Sequence, residues 1–72
     1  MKSRKENIAA IALGAIDLWR ASDAEYTCQQ SVLDVVRPYI ASRCAKVGMF
    51  KAQRTIENQV IDAIHRVWEE TA

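Results

Sequence analysis

Thiol and imidazole side chains, which serve in nucleophilic and acid–base catalysis, are few in this sequence. Cys28 and Cys44 are the two thiols and His65 is the single imidazole, so a cysteine–histidine pair is the one thiol-based catalytic arrangement that the composition permits. Both cysteines fall on the apolar side of the second predicted helix, where burial raises the pKa of a thiol and makes it unreactive. Two glycines in the whole chain leave little material for a backbone oxyanion hole. We therefore expect a non-enzymatic protein without a cofactor.

Residue pairs with the spacing of metal ligands are also few. Asp62 and His65 stand three residues apart, as carboxylate and histidine do in helical bundles that hold two metal ions, but Asp62 falls on the polar face of its predicted helix. Glu69, four residues after His65, fits a surface pair better. Cys28 and Cys44 lack the Cys-x-x-Cys spacing of a structural zinc site. We expect no bound metal, and two reduced cysteines that suit a cytoplasmic protein.

Charge is segregated along the chain, although the formal net charge is only +1. Residues 1–34 sum to −1, residues 35–56 to +5 and residues 57–72 to −3. A basic segment without acidic residues favours an acidic macromolecular surface, whether protein or nucleic acid. The predicted partner-binding residues are its five cations, Arg37, Arg43, Lys46, Lys51 and Arg54.

Part of this segment resembles the turn of a helix-turn-helix. Val47-Gly48-Met49 lies between two predicted helices, and the small residue Cys44 stands four positions before the glycine, as that motif requires. The position six residues after the glycine, which is a buried aliphatic in the motif, is Arg54. The resemblance implies an alternative function, a dimeric DNA-binding transcriptional regulator that contacts phosphates through residues 37–54.

Composition limits what can position these residues. The chain has 72 residues, of which 50% are hydrophobic and 26% charged, which predicts one folded domain over residues 1–72 and excludes disorder. A core of this size supplies only about 3–5 kcal/mol, so a partner chain is expected. The apolar run 8–19 contains Gly14 and Asp17 and is too short to cross a bilayer. We interpret it as a core helix rather than a membrane span.

Hydrophobic periodicity predicts an all-α protein with helices at about residues 4–20, 24–46 and 50–70. A capping box at Ser3 and Glu6 marks the first start. The apolar stripes of the first two helices cover about half of each circumference, more than the roughly 100° of an ordinary surface helix. This width predicts an intertwined or packed homodimer.

The limits of the second helix are less certain from the sequence. Ser22 and Glu25 form a second capping box, and Gly48 is suited to end the helix. Pro38 falls on the polar face, where we interpret it as a bend. A break just before the proline and a later start with a box at Ser31 are the alternatives.

Two polar residues lie inside the apolar face of the third predicted helix. Gln53 and Glu57 either reach water from a boundary position or make a polar contact that sets the register of a helical interface. Arg43, on the apolar side of the second helix, is the expected partner of Glu57. Both interpretations stay open at this point.

Small and aromatic residues suggest where helices approach each other. Ala10 and Gly14, four residues apart on the polar side of the first helix, fit either a close helix crossing or a second chain. The aromatic residues are expected in the core, with some of them anchoring a partner. They are Trp19, Tyr26, Tyr39, Phe50 and Trp68. The predicted interface residues are Ala10, Gly14, Trp19 and Glu57.

These patterns together predict a small cytoplasmic protein that works by binding another macromolecule, with a protein partner favoured over nucleic acid and no membrane. Compact helical chains without catalytic residues are typical of regulators, inhibitors and adaptors, including those of phages and plasmids. The expected mechanism is occlusion of a partner's functional site, with the basic segment steering the encounter.

Overall fold

The first helix begins where the sequence predicts. In the computed structural model, which describes residues 3–23 and 25–71, with only the backbone described at 68, 70 and 71, α1 spans Arg4–Ala21. Ser3 is its N-cap, and the Ser3 hydroxyl accepts a hydrogen bond of 3.2 Å from the Glu6 N–H. This bond satisfies one of the backbone donors that have no partner within a helix's first turn.

The second capping box predicted from the sequence is wrong. Ser22 ends α1 instead of starting α2, because its backbone N–H and its hydroxyl both donate to the Trp19 carbonyl, at 3.2 and 2.6 Å. Asp23 then takes a left-handed conformation with φ of 57°, which stops the helix. The predicted start at Ala24 lies outside the described residues.

The second helix, α2, spans Gln29–Val47 and so begins about five residues later than predicted. Cys28 is its N-cap, in extended backbone conformation. The Ser31 hydroxyl accepts from the N–H groups of Thr27 and Cys28, at 3.3 and 3.4 Å, and donates to the Cys28 carbonyl at 2.6 Å. Ser31 therefore lies in the first turn of α2, and its side chain binds the backbone groups at the start of the helix.

Pro38 does not break α2, which is continuous from Gln29 to Val47. The proline is exposed, as is Asp34 one turn earlier. The carbonyl of Asp34, which loses its usual donor because proline has no N–H, therefore has water to bind it. The predicted end of α2 is confirmed, because Gly48 adopts φ of 68°.

The turn after α2 is a Schellman motif followed by a 3₁₀ turn. The Gly48 N–H donates to the Ala45 carbonyl at 3.3 Å, and the Met49 N–H donates to the Cys44 carbonyl at 2.8 Å. A 3₁₀ turn over Phe50–Ala52 leads into α3, Gln53–Thr71. Met49 and Ala52 are both buried, since residues three apart lie on the same side of a 3₁₀ turn.

The protein is an elongated bundle of three helices that all pack against one another, with no strand among the described residues. The helices are about 28 Å long at 1.5 Å per residue, whereas the bundle measures 39 × 20 × 19 Å, so they must run close to its long axis. Short connections make consecutive helices antiparallel. Hence α1 and α3 point the same way and α2 runs between them in the opposite direction.

The core fills the space between the three helices and is almost wholly aliphatic. Burying each such side chain contributes about 1.5–3 kcal/mol. Its largest fully buried side chains are Ile40, Ile56, Val32, Val36, Val60 and Cys44.

Candidate functional site

The antiparallel packing converts the charge pattern of the sequence into two oppositely charged ends. We call residues 4–12 and 38–61 the basic end, because the α2–α3 turn and the start of α1 meet there. Six cations lie at this end against two carboxylates, Glu6 and Glu57. The cations are Arg4, Lys5, Arg43, Lys46, Lys51 and Arg54.

The opposite end is acidic. We call residues 13–37 and 62–71 the acidic end; it contains the linker between α1 and α2 and the last turns of α3. Among its described side chains, six carboxylates outnumber three cations, Arg20, Arg37 and Arg66. The carboxylates are Asp17, Asp23, Glu25, Asp34, Asp62 and Glu69.

This separation reaches beyond the basic segment that the sequence shows. Arg4 and Lys5 are more than thirty residues away from Lys46 along the chain, but the antiparallel α1 and α2 bring the start of one helix to the end of the other. The two ends therefore carry formal charges of about +4 and −3 over the described side chains. A dipolar distribution of this kind orients the molecule in the field of a charged partner.

Phe50 projects from the basic end into solvent. Its side chain is 68% exposed, so the expectation that Phe50 belongs to the core is wrong. Met49 and Ala52 occupy the inward side of the 3₁₀ turn, and the two residues between them, Phe50 and Lys51, are consequently exposed. Val47, 44% exposed, adds a second apolar side chain one turn away. The sequence signal for this is the apolar residue directly after Gly48. In a Schellman motif that residue, here Met49, packs back on the helix, so the next residue, Phe50, points outward.

The five predicted partner-binding cations do not form one uniform surface. Lys46, Lys51 and Arg54 are exposed at the basic end. Arg43 is exposed as well, but its guanidinium lies 5.3 Å from the centre of the Tyr39 ring, within the range of a cation–π contact.

Arg37 forms an ion pair with another residue of the same chain. Its Nε lies 3.5 Å from the Glu57 carboxylate, which also accepts a 3.0 Å hydrogen bond from the Gln53 amide. The expected pairing of Glu57 with Arg43 is therefore wrong. Glu57 is only 8% exposed, and a carboxylate removed from water requires such partners. The polar contact joins α2 to α3 within one chain.

A cleft of about 310 Å³ with a mixed polar and apolar lining runs between α1 and α2 at the basic end. Ala10, one of the predicted interface residues, is exposed on its wall. Arg43 and Lys46 stand on the opposite wall. The cleft thus extends the cationic surface from the α2–α3 turn towards α1.

An apolar cleft of about 270 Å³ opens between α1 and α3 at the acidic end. Leu13, on its α1 side, is 62% exposed, and Val67, on its α3 side, is 44% exposed. These exposures are large for aliphatic residues placed side by side, and such patches mark interaction sites. The remaining lining residues are Ile16, Asp17, Trp19, Arg20, Ala63 and Ile64.

Two further predicted interface residues belong to the interior of the chain. Trp19 is buried and forms the floor of the apolar cleft. Gly14 faces Tyr39, because a Cβ added at Gly14 would overlap the Tyr39 hydroxyl. The small residue therefore serves a close crossing of α1 and α2 within one chain. Tyr26 and Tyr39 are partly buried against the core, and the side chain of Trp68 lies outside the described set.

The two cysteines differ, contrary to the expectation that both are buried. Cys44 is fully buried, and burial raises the pKa of its thiol. Cys28 is exposed, because α2 begins after it. The backbone N–H of Ser31 and then the Thr27 hydroxyl hold the pKa of the Cys28 thiol below its usual value.

His65 makes surface contacts rather than joining a cluster. Its Nε2 lies 3.4 Å from the Glu69 carboxylate, which confirms the predicted i,i+4 pair. Its ring also lies 5.4 Å from that of Tyr26. Within the described residues, no three histidine, cysteine, aspartate or glutamate side chains converge in a way that could hold a metal ion.

No helix in the described part of the chain combines the length and apolarity that crossing a membrane demands. The chain matches no protein-family model, no curated protein sequence and no solved structure at a significant level.

Proposed function

We propose that this protein is a non-enzymatic regulator, inhibitor or adaptor that binds an acidic surface of another protein through its basic end. The observation that carries the proposal is Phe50, which is 68% exposed between Lys46 and the pair Lys51 and Arg54. An aromatic anchor surrounded by cations matches the composition of binding hot spots, in which aromatic and arginine side chains dominate.

The two kinds of side chain have different tasks in this mechanism. The exposed cations attract an acidic partner over a Debye length of about 8–10 Å and thereby raise the association rate. Phe50 and Val47 then bury apolar area, which slows dissociation. The bound helical bundle covers the partner's functional site. We further propose a cytoplasmic location, which the two free cysteines support because thiols stay reduced in that compartment.

Capture of partners from host lysate on the immobilised protein tests the proposal. A specific protein retained by the wild type should be lost with Phe50→Ala and with the charge reversal Lys51→Glu/Arg54→Glu. It should be retained by Leu18→Ala, a matched control in which an exposed apolar residue outside the basic end is shortened. Retention by Phe50→Ala equal to that of the wild type would contradict the proposal.

DNA binding through residues 37–54 is the second candidate, supported by the cationic turn. Two features of the fold favour a protein partner instead. In a helix-turn-helix the second helix crosses the first at about 90–120°, whereas α3 lies along α2, and exposed Arg54 stands where that motif has a buried aliphatic. Titration of duplex DNA at about 50 and 200 mM salt separates the two, because phosphate contacts make binding fall steeply with salt. Strong, Phe50-independent DNA binding at low salt would favour this second candidate.

A further inference from the structure

The two ends of the bundle are complementary to each other in shape and in charge. The basic end presents an exposed aromatic ring, Phe50, with Lys46, Lys51 and Arg54 around it. The acidic end presents an open apolar cleft with Asp17 on its rim. In one molecule these features lie at opposite ends of a bundle 39 Å long, so they cannot meet within one chain.

We propose that a second copy of this chain occupies the α1–α3 cleft, in an antiparallel pair in which Phe50 of each copy enters the cleft of the other. Antiparallel alignment places the basic end of each copy beside the acidic end of its neighbour. Both contacts then form at the same time, and a two-fold axis closes the assembly at two copies.

The size of the cleft suits this occupant. A dry apolar cavity of about 150 Å³ is enough to bind benzene, so about 270 Å³ accommodates a phenyl ring. Leu13, Ile16 and Val67 surround the ring with aliphatic groups. Burial of Phe50, Leu13 and Val67 in one contact would remove from solvent three of the five large apolar side chains that are exposed in the described part of the chain; Val47 and Leu18 are the other two.

Charge favours the antiparallel arrangement over a parallel one. The cations around Phe50 approach Asp17 on the cleft rim and Asp62, which precedes the cleft residue Ala63 on α3. Arg20 on the rim and Arg66, which precedes the cleft residue Val67, balance these two carboxylates locally. The preference for the antiparallel pair therefore comes from the net charges of the whole ends, +4 and −3 over the described side chains. A parallel pair would instead place like-charged ends together, which costs free energy.

The antiparallel pair makes the contact between Phe50 and the apolar cleft twice. Two linked contacts also reinforce each other, because the second forms within an assembly that the first has already joined.

Sedimentation equilibrium of the purified chain tests the pair. We expect a mass of twice 8.1 kDa at micromolar concentration and weaker association at high salt. Phe50→Ala and Leu13→Lys should each weaken self-association by about 30-fold or more, as loss of an interface anchor does. Leu18→Lys is the matched control, since Leu18 is an exposed leucine of the same helix that does not line the cleft, and it should leave the dissociation constant unchanged.

Mixing the two interface variants supplies the decisive measurement. Phe50→Ala keeps an intact cleft and Leu13→Lys keeps an intact Phe50, so the mixed pair retains one of the two contacts and should be tighter than either variant with itself. Helical circular dichroism of each variant confirms that it is folded. A monomeric wild type at about 500 μM, a series of species larger than a pair, or a mixture without preferential pairing would each overturn the proposal.

The pair and the proposed partner compete for Phe50, but the two proposals can fail separately. Partner capture requires Phe50 but not Leu13, whereas the pair requires both. Leu13→Lys should therefore release Phe50 and capture a partner at least as well as the wild type does.

Discussion

The basic and acidic ends are built from the same three helices, yet a turn covers the core at the basic end, whereas an apolar cleft opens beside the core at the acidic end. At the basic end the Schellman turn at Gly48 places Met49 and Ala52 across the base of the core. At the acidic end α1 and α3 lie side by side with the apolar cleft between them. The comparison shows that the five-residue connection between α2 and α3 covers the core with its own side chains, whereas α1 and α3, which no connection joins directly, leave an apolar cleft between them.

Apolar side chains are exposed at both ends, but for different structural reasons. Sealing the core uses the inward positions of the 3₁₀ turn, so Phe50 is forced outward. Leu13 and Val67 are exposed for a different reason, since both line the open cleft between α1 and α3. Two unrelated local causes thus produce surfaces that complement each other.

The largest expected effect is the loss of stability when one core residue at each end is shortened. Ile56→Ala, at a fully enclosed position, should destabilise the protein by about 3–5 kcal/mol, whereas Ile64→Ala, beside the open cleft, should cost about 2–3 kcal/mol because fewer packing contacts are lost. Urea denaturation under conditions where the chain is monomeric measures both. Leu18→Ala should change stability by less than about 0.5 kcal/mol. Equal losses for the two isoleucines would show that the acidic end is packed as tightly as the basic end.

A smaller effect is expected at the crossing where the two ends meet. Gly14→Ala should destabilise by about 1–3 kcal/mol, because the added methyl group overlaps the Tyr39 hydroxyl. The sign is informative, since alanine in a helix is otherwise favoured over glycine by about 1 kcal/mol. Thermal unfolding of Gly14→Ala with and without Tyr39→Phe makes the measurement, and loss of the hydroxyl should recover part of the stability. A stabilising Gly14→Ala would mean that Tyr39 does not pack over the glycine.

The smallest effect concerns the thiols and leaves stability unchanged. A disulfide reagent should label Cys28 in the folded protein, with a pH midpoint below the usual 9.0, because hydrogen bonds lower its thiol pKa. Cys44 should stay unlabelled until the chain unfolds, since it is buried and its pKa is raised. In denaturant both thiols should titrate alike near the usual value. Rapid labelling of folded Cys28→Ser would indicate that the core around Cys44 opens.

Periodicity and capping were sufficient to predict the helices where a single local interaction decides. Ser3 directly precedes α1 and Gly48 directly follows α2, and both predictions are confirmed. Ser22 was different, because the same hydroxyl suits the end of α1 and the start of α2. The choice depends on where the backbone of Asp23 turns, which periodicity does not encode.

The candidate site was predictable only in part for a related reason. The sum of charges along the chain identified the basic segment, whereas the helical wheel, which assigns directions within one helix, placed Phe50 in the core. It also paired Glu57 with Arg43 instead of Arg37, because the relative rotation of two helices is set by packing of the whole core.

The sequence by itself determined that the chain is all-helical, how its charge runs along the chain, and that it has two thiols and one imidazole, since each follows from residue type and local spacing. Only the tertiary structure decided that the charges separate into two ends, that an aromatic ring projects from one end, and that an apolar cleft opens at the other. These features depend on residues far apart in the chain being brought together by antiparallel packing, and local spacing contains no information about that contact.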